Sequence, residues 1–189
     1  MKKATTFAVM TALICALMGC GNFEIGATPE SETETVSENA PAEASIDMSS
    51  LTDDEFVYNG HAISILNTMD SLFEAMGKPE TETHEAGINV YSYNKYSVYI
   101  NSMDENGADC PYSIIISDKN AMTARGIKVG SSKEDIINAY GEPTEAYEYE
   151  DQSHSSPVNS MIYKFDNDKY QIGFSVVEGK VEQFNFLRP

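Results

Sequence analysis

Two stretches of this chain say nearly the same thing. Asp70-Ser71-Leu72-Phe73-Glu74-Ala75-Met76-Gly77-Lys78-Pro79 matches Glu134-Asp135-Ile136-Ile137-Asn138-Ala139-Tyr140-Gly141-Glu142-Pro143 at an offset of 64, pairing apolar with apolar and Gly-x-Pro with Gly-x-Pro. Self-similarity at a fixed offset restricts a chain to two like units that share a core. Each stretch predicts a short helix. Asn67 and Ser131 stand at the expected N-cap positions, and Glu134 three residues after Ser131 makes a capping box. Gly77 and Gly141 end the helices in the left-handed conformation, and Pro79 and Pro143 prevent their continuation.

Strand patterns follow each helix. In the first half Val90–Tyr93, Tyr96–Asn101 and Tyr112–Ser117 alternate apolar and polar residues around Asn94-Lys95 and Asn106-Gly107; in the second half Met161–Phe165, Tyr170–Ser175 and Val181–Phe186 do so around Asp166-Asn167-Asp168 and Glu178-Gly179-Lys180. Asn-Gly between such runs is a strong hairpin signal. The period of two puts Tyr91, Tyr93, Tyr96, Val98, Ile100, Tyr112, Ile114, Ile116, Tyr163, Phe165, Tyr170, Ile172, Phe174, Phe184 and Phe186 on one core-facing side. The other side carries Ser92, Ser97, Tyr99, Ser113, Ile115, Lys164, Gln171, Gly173, Ser175, Gln183 and Asn185. The expected fold is therefore α+β: two tandem repeats, 56–120 and 121–189, each a short helix plus a three-stranded antiparallel meander, with the helices packed on one face of a shared sheet. Phe56–Leu66 and Gly126–Val129 add an edge strand or a short helix.

The run Gly126-Ile127-Lys128-Val129-Gly130-Ser131-Ser132-Lys133-Glu134-Asp135-Ile136-Ile137-Asn138-Ala139-Tyr140-Gly141-Glu142-Pro143, followed by a Tyr/Phe-rich meander, resembles the repeat of the beta-lactamase inhibitory proteins. It is also similar to lipoproteins of the SmpA/OmlA type, which serve outer-membrane assembly. The resemblance implies an α+β fold with helices on one side of an antiparallel sheet and protein binding by the other side or its loops. This chain lacks Trp and the paired cysteines of the inhibitory proteins, so inhibition of a beta-lactamase does not carry over.

Ahead of the folded part, Met1-Lys2-Lys3 precedes an uncharged run, Ala4–Gly19, that is too short to span a bilayer. This is a signal-peptide pattern, 1–19. Leu17-Met18-Gly19-Cys20 resembles the lipobox of bacterial lipoproteins, which implies an acylated (palmitate-bearing) Cys20 as the first mature residue. Cys15 then leaves with the signal peptide, and Cys110 is the one remaining thiol, so no internal disulfide forms. Residues 20–55 are rich in Glu, Ser, Thr, Ala and Pro, and no Lys or Arg occurs between Lys3 and Lys78. Such a segment cannot bury enough surface to offset its ordering entropy, and it reads as an acidic tether.

With 30 Asp and Glu against 12 Lys and Arg, the net charge of -18 excludes nucleic acid and anionic surfaces as partners. No metal or cofactor is expected: His61, His84 and His154 lie in separate segments without ligand spacing. Asp151, Ser153 and His154 are neighbours in a polar loop with no Gly-x-Ser-x-Gly turn, so no catalytic residues are assigned. Asp104-Glu105-Asn106-Gly107-Ala108-Asp109 reads as an exposed turn, lacking the order of a calcium loop. The expected function is a non-enzymatic binding module, lipid-anchored at a bacterial cell membrane or surface. Its envelope protein partner would meet the open sheet face at Tyr99, Ile115, Gln171, Gln183 and Asn185. The rival readings are a small-ligand or hydrolytic lipoprotein acting on envelope peptide or glycan, and a structural subunit of an envelope assembly.

Overall fold

A computed structural model of the chain describes residues 46–189. The expected signal peptide, Cys20 and most of the tether lie outside the described residues. A single 3-10 turn, Met48–Ser50, opens the described part, with Asp47 accepting the Ser49 N–H at its start. Then follow β1 (Glu55–Tyr58), β2 (His61–Ser64), α1 (Met69–Met76), β3 (Thr81–Glu85), β4 (Ile88–Tyr93), β5 (Val98–Glu105) and β6 (Ala108–Ile116). The second half runs β7 (Met122–Thr123), α2 (Lys133–Tyr140), β8 (Glu145–Tyr149), β9 (Val158–Phe165), β10 (Tyr170–Val177) and β11 (Lys180–Leu187).

The expected α+β fold of helices on three-stranded meanders is corrected. Strand dominates, in an eight-stranded antiparallel sheet of order β3-β4-β5-β6-β11-β10-β9-β8 and a small sheet of order β2-β1-β7. The extra strands β3 and β8 read Thr-Glu-Thr-His-Glu and Glu-Ala-Tyr-Glu-Tyr, and nearly every residue in them is exposed. They are edge strands with little to bury, so they carry no apolar alternation to be read. The Phe56–Leu66 segment resolves into the β1–β2 hairpin, and the Gly126–Val129 segment is neither strand nor helix.

The two halves meet along β6 and β11, where Ile114 pairs Phe186, Ile115 pairs Asn185 and Ile116 pairs Phe184. One face of this seam is the core. Ile100, Ile114, Ile116, Phe174, Phe184 and Phe186 are fully buried there against Leu72 of α1, Ile136 of α2, and Phe56 and Ile63 of the small sheet. Phe56 stacks on Phe186 at 5.4 Å and meets Phe184 edge-on at 6.5 Å, so β1 is fastened to the central strand by rings.

Both helices cap one residue later than expected. Thr68 accepts the Ser71 N–H, and Ser132 forms a capping box with Asp135, not Ser131 with Glu134. The Ser132 N–H reaches Asp135 Oδ2 at 2.7 Å, and the backbone and side-chain hydrogen bonds from Ser132 hold this carboxyl below its ordinary value. Gly77 and Gly141 do close the helices, but at φ 78 and 81 with ψ -167 and -159. That is the extended positive-φ region, open in practice to glycine alone, and not the left-handed helical one.

Two bulges break the period of two. Between Asn101 and Ser102 the register slips, so Tyr112, expected in the core, is left without a β5 partner and half-buried. On β11 the second bulge leaves Glu182 without a β10 partner between Val181 and Gln183. Tyr96, also expected in the core, lies in the β4–β5 turn at φ 69 and is 56% exposed. Phe165 is half-buried.

Arg125 ties the start of the fold down. Its guanidinium donates to both Asp53 oxygens at 2.6 and 2.7 Å and to the Ala139 carbonyl at 2.9 Å, and it lies 4.7 Å over the Tyr140 ring. Burial pushes the Tyr140 hydroxyl up to about 12, so the ring stays neutral beneath the cation. Arg125→Ala is expected to cost about 1 kcal/mol, because the pair is partly solvated, and to speed proteolytic cleavage around residues 47–54. Unchanged cleavage in a limited-proteolysis time course would show that the clamp does not hold this segment.

Candidate functional site

The side of the large sheet away from the core is built by alternation. Along β5, Val98, Ile100 and Ser102 are buried while Tyr99, Asn101 and Met103 stay half-exposed; β10 likewise buries Ile172, Phe174 and Val176 and leaves Gln171 and Ser175 accessible. Eight strands at about 4.8 Å spacing give a face roughly 34 Å wide.

Backbone register brings three of the expected partner-binding residues into one row: Tyr99 pairs Ile115, and Ile115 pairs Asn185. The row continues through Gly173 to Ile162 and, in the other direction, to Ser92. Gln171 lies in the adjacent row between Leu187 and Lys164, and Gln183 is opposite Ser175. All five share one face, as the period of two requires. Tyr99 is stacked on exposed Tyr96 at a centroid distance of 6.2 Å, which extends the apolar contact surface to the sheet's end. Sequence reasoning missed Tyr96 here because alternation assigned it to the core.

Gly173 is closed over by Asn185. A Cβ at Gly173 would collide with Asn185 Oδ1, and the next nearest atoms, Asn185 Cγ and Nδ2, lie at 3.4 and 3.7 Å. Gly173→Ala is therefore expected to swing the Asn185 amide away, moving its side-chain NH2 resonances while the unfolding midpoint changes little. If those resonances stay put, the amide is not seated on the glycine.

At the end of this face nearest Tyr96, Asp118 joins three segments. It is 5% exposed and accepts from Ser97 Oγ at 3.1 Å, the Asn120 N–H at 2.9 Å and Asn94 Nδ2. Burial alone would raise its carboxyl, but the Asn120, Asn94, Ser97 and Tyr58 hydrogen bonds outweigh burial and hold it below its ordinary value. No sequence signal marks Asp118, since its partners come from the β4–β5 turn, from Asn120 and from the end of β1.

The residues weighed for chemistry fall elsewhere. His154 Nδ1 is 3.0 Å from Ser153 Oγ and its Nε2 is 2.5 Å from Glu182, while Ser153 Oγ donates to Asp151 at 2.6 Å. His154 thereby links the 150–157 loop to Glu182, the bulged residue of β11. His84 Nδ1 is bonded to Asn89 at 2.6 Å and His61 is exposed on β2. Among the described residues no group of three His, Cys, Asp or Glu is placed to hold a metal ion. Asp104 Oδ1 accepts the Gly107 N–H at 2.8 Å, which makes the 104–109 carboxylates part of a hairpin turn. Cys110 is free and half-buried beside Met103.

No family model and no curated protein matches the chain. Among solved structures it is similar to an extracellular protein containing an SCP domain from Bacillus anthracis, at TM-score 0.45 and 7% identity, covering 65% of this chain and 43% of that one. It is also similar to a cysteine-rich secretory protein of Staphylococcus aureus, at TM-score 0.41 and 12% identity, covering 65% and 42%. A candidate beta-lactamase inhibitor protein of Streptococcus mutans matches at TM-score 0.26 and 16% identity, covering 64% and 82%. The chain spans less than half the length of the first two proteins. Likenesses at these scores carry no argument about fold or activity. No helix among the described residues is long and apolar enough to cross a membrane.

Proposed function

We propose that the chain is a lipid-anchored, extracytoplasmic binding module without catalytic activity, held at the cell envelope through Cys20 and meeting a protein partner with its open sheet face. The observation that supports this reading most is the in-register row Tyr99, Ile115, Asn185, which crosses the seam between the halves on the side opposite the core. A broad antiparallel surface with one buried and one accessible side, bearing an aromatic pair at one end and amide side chains across its centre, suits a protein surface better than a small solute. The lipobox-like Leu17-Met18-Gly19-Cys20 supports the anchor, and the Glu-rich stretch up to Asp54 supports a tether that holds the module off the membrane.

The test is capture from detergent-solubilised envelope by the wild-type chain and by a Tyr99→Glu, Ile115→Glu double variant. Both side chains are half-exposed, so the variant is expected to fold, with near-wild-type circular dichroism. A partner retained by the wild type and lost by the variant is the expected result. Equal capture by both would move recognition to the loops or helices. Mass spectrometry of the mature N-terminus checks the anchor, and an unacylated Cys20 would remove it from the reading.

A further inference from the structure

We propose that the outer edge of β8 is a docking site for an extended, Lys- or Arg-rich segment of a partner protein, which adds to the large sheet as a ninth strand. β8 is the last strand in its sheet and pairs only with β9. On its outer side no backbone hydrogen bond is made among the described residues, so alternate N–H and C=O groups project unpaired. All five of its residues are exposed. Tyr147 is 53% and Tyr149 41% exposed, with ring centroids 6.0 Å apart. The opposite edge, β3, has Thr, Glu and His and no tyrosine or phenylalanine.

Charge identifies the occupant. Glu142, Glu145, Glu148, Glu150 and Asp151 crowd this edge, and no Lys or Arg lies between Lys133 and Lys164. Of the five, Glu145 is paired with Lys164 at 2.6 Å. Antiparallel pairing with β8 of a second copy would bring the two sets of carboxylates to one edge, with Glu148 of each strand diagonal to the other, so a basic strand is favoured over self-association.

The two faces of an added strand each find a receptor. On the Tyr147 side, cationic side chains pass over the tyrosine rings. On the Ala146 side lies a recess of about 240 Å³ between α2 and β8–β9, lined by Ile137, Pro143 and Met161 together with Glu142, Glu148 and Lys133. Asn159 also lines it, and Asn159 Oδ1 is buried without a hydrogen-bond partner. One long side chain fits there with its apolar stem on Ile137 and Met161 and its cationic head beside Glu142 and Glu148, two carboxylates that outnumber Lys133. The edge that would pair is the sheet's rim, while Tyr147 and Tyr149 lie on the open face, Tyr147 opposite Ser160 and Ser160 opposite Ser175.

The test uses the full-length chain and a fluorescent peptide, Lys-Thr-Lys-Arg-Lys-Thr-Lys, with a counterpart carrying Glu for every basic residue. Two further versions are N-methylated on one or the other set of alternate residues. The basic peptide is expected to bind and to slow amide exchange at residues 145–149, one methylated version to lose binding while the other keeps it, and the acidic counterpart not to bind. Glu148→Lys with Glu150→Lys weakens binding about tenfold or more at low salt with the unfolding midpoint unchanged, and Tyr147→Ser with Tyr149→Ser weakens it through the other face. Equal binding of both methylated versions, or binding without slowed exchange at 145–149, overturns strand addition in favour of diffuse charge attraction. No binding of the basic peptide, or exchange at 145–149 that slows with protein concentration alone, overturns the basic partner, the latter in favour of a second copy.

Discussion

Phe56→Ala is expected to lower the unfolding free energy by about 3–5 kcal/mol, the range for deleting a fully buried ring. The residue is 0% exposed, and its ring is the contact between the small sheet and β11, at 5.4 Å from Phe186 and 6.5 Å from Phe184. The β2-β1-β7 sheet has little else of its own, because its strands hold four, four and two residues. Sheets this short are not stable without packing. The loss should therefore be uneven: amides of residues 55–64 exchange faster in the native state, while those of β10 and β11 keep most of their protection. Phe56→Leu, which refills much of the volume, should recover more than half of the loss. Urea unfolding with exchange mass spectrometry reads both effects. A cost below about 0.5 kcal/mol, the usual range for surface sites, would mean that the small sheet is not part of it.

Asp118→Ala is the second large effect, at about 1–3 kcal/mol near neutral pH, since it removes the 5%-exposed carboxylate that joins Asn94, Ser97 and Asn120. Asp118→Asn keeps the shape but turns an amide NH2 toward other donors, and should lose nearly as much. The pH dependence has a definite sign. The folded-state value lies below the ordinary one, so the native state binds fewer protons than the unfolded chain as the pH falls through the usual carboxylate range. The stabilisation from ionised Asp118 is complete above about pH 4, where an unfolded Asp titrates, and fades as the pH drops through the lower folded-state value. The difference between wild type and Asp118→Asn should shrink over that interval. Asp135 and Asp151 are also held low, by hydrogen bonds from Ser132 and Ser153, but they titrate in both proteins and cancel in the comparison. A difference that stays constant from neutral pH to pH 3 would show that the charge of Asp118 adds nothing beyond its shape.

The parts of this fold legible in the sequence are those with a local cause. The two helices announce themselves through Gly-x-Pro endings, and six central strands through alternation, because one side of each strand is in the core. The row Tyr99, Ile115, Asn185 follows from the same alternation, although which strands adjoin does not: β6 meets β11 by long-range pairing. Where the physics is not local, the reading failed. β3 and β8 are exposed on both faces and so have no hydrophobic period. The bulges at Tyr112 and Glu182 shift parity by one residue without a composition cue. Tyr96 belongs to a turn whose Asn94, Lys95 and Tyr96 all take positive φ, a conformation that alternation cannot see. Arg125 reaches Asp53 across 72 positions, and Asp118 gathers Asn94 and Ser97 from 24 and 21 positions away. Both are set by the closed fold and not by their neighbours in the chain.

The open sheet face as a protein-binding surface is tested most directly by site-specific photo-cross-linking in cells. A photoreactive residue is placed at Tyr99 or Ile115, and for comparison at Asn138, which is exposed on α2. The expected result is a discrete cross-linked product from Tyr99 and from Ile115, and none from Asn138. Products from Asn138 alone, or identical products from all three positions, would contradict the assignment of binding to this face.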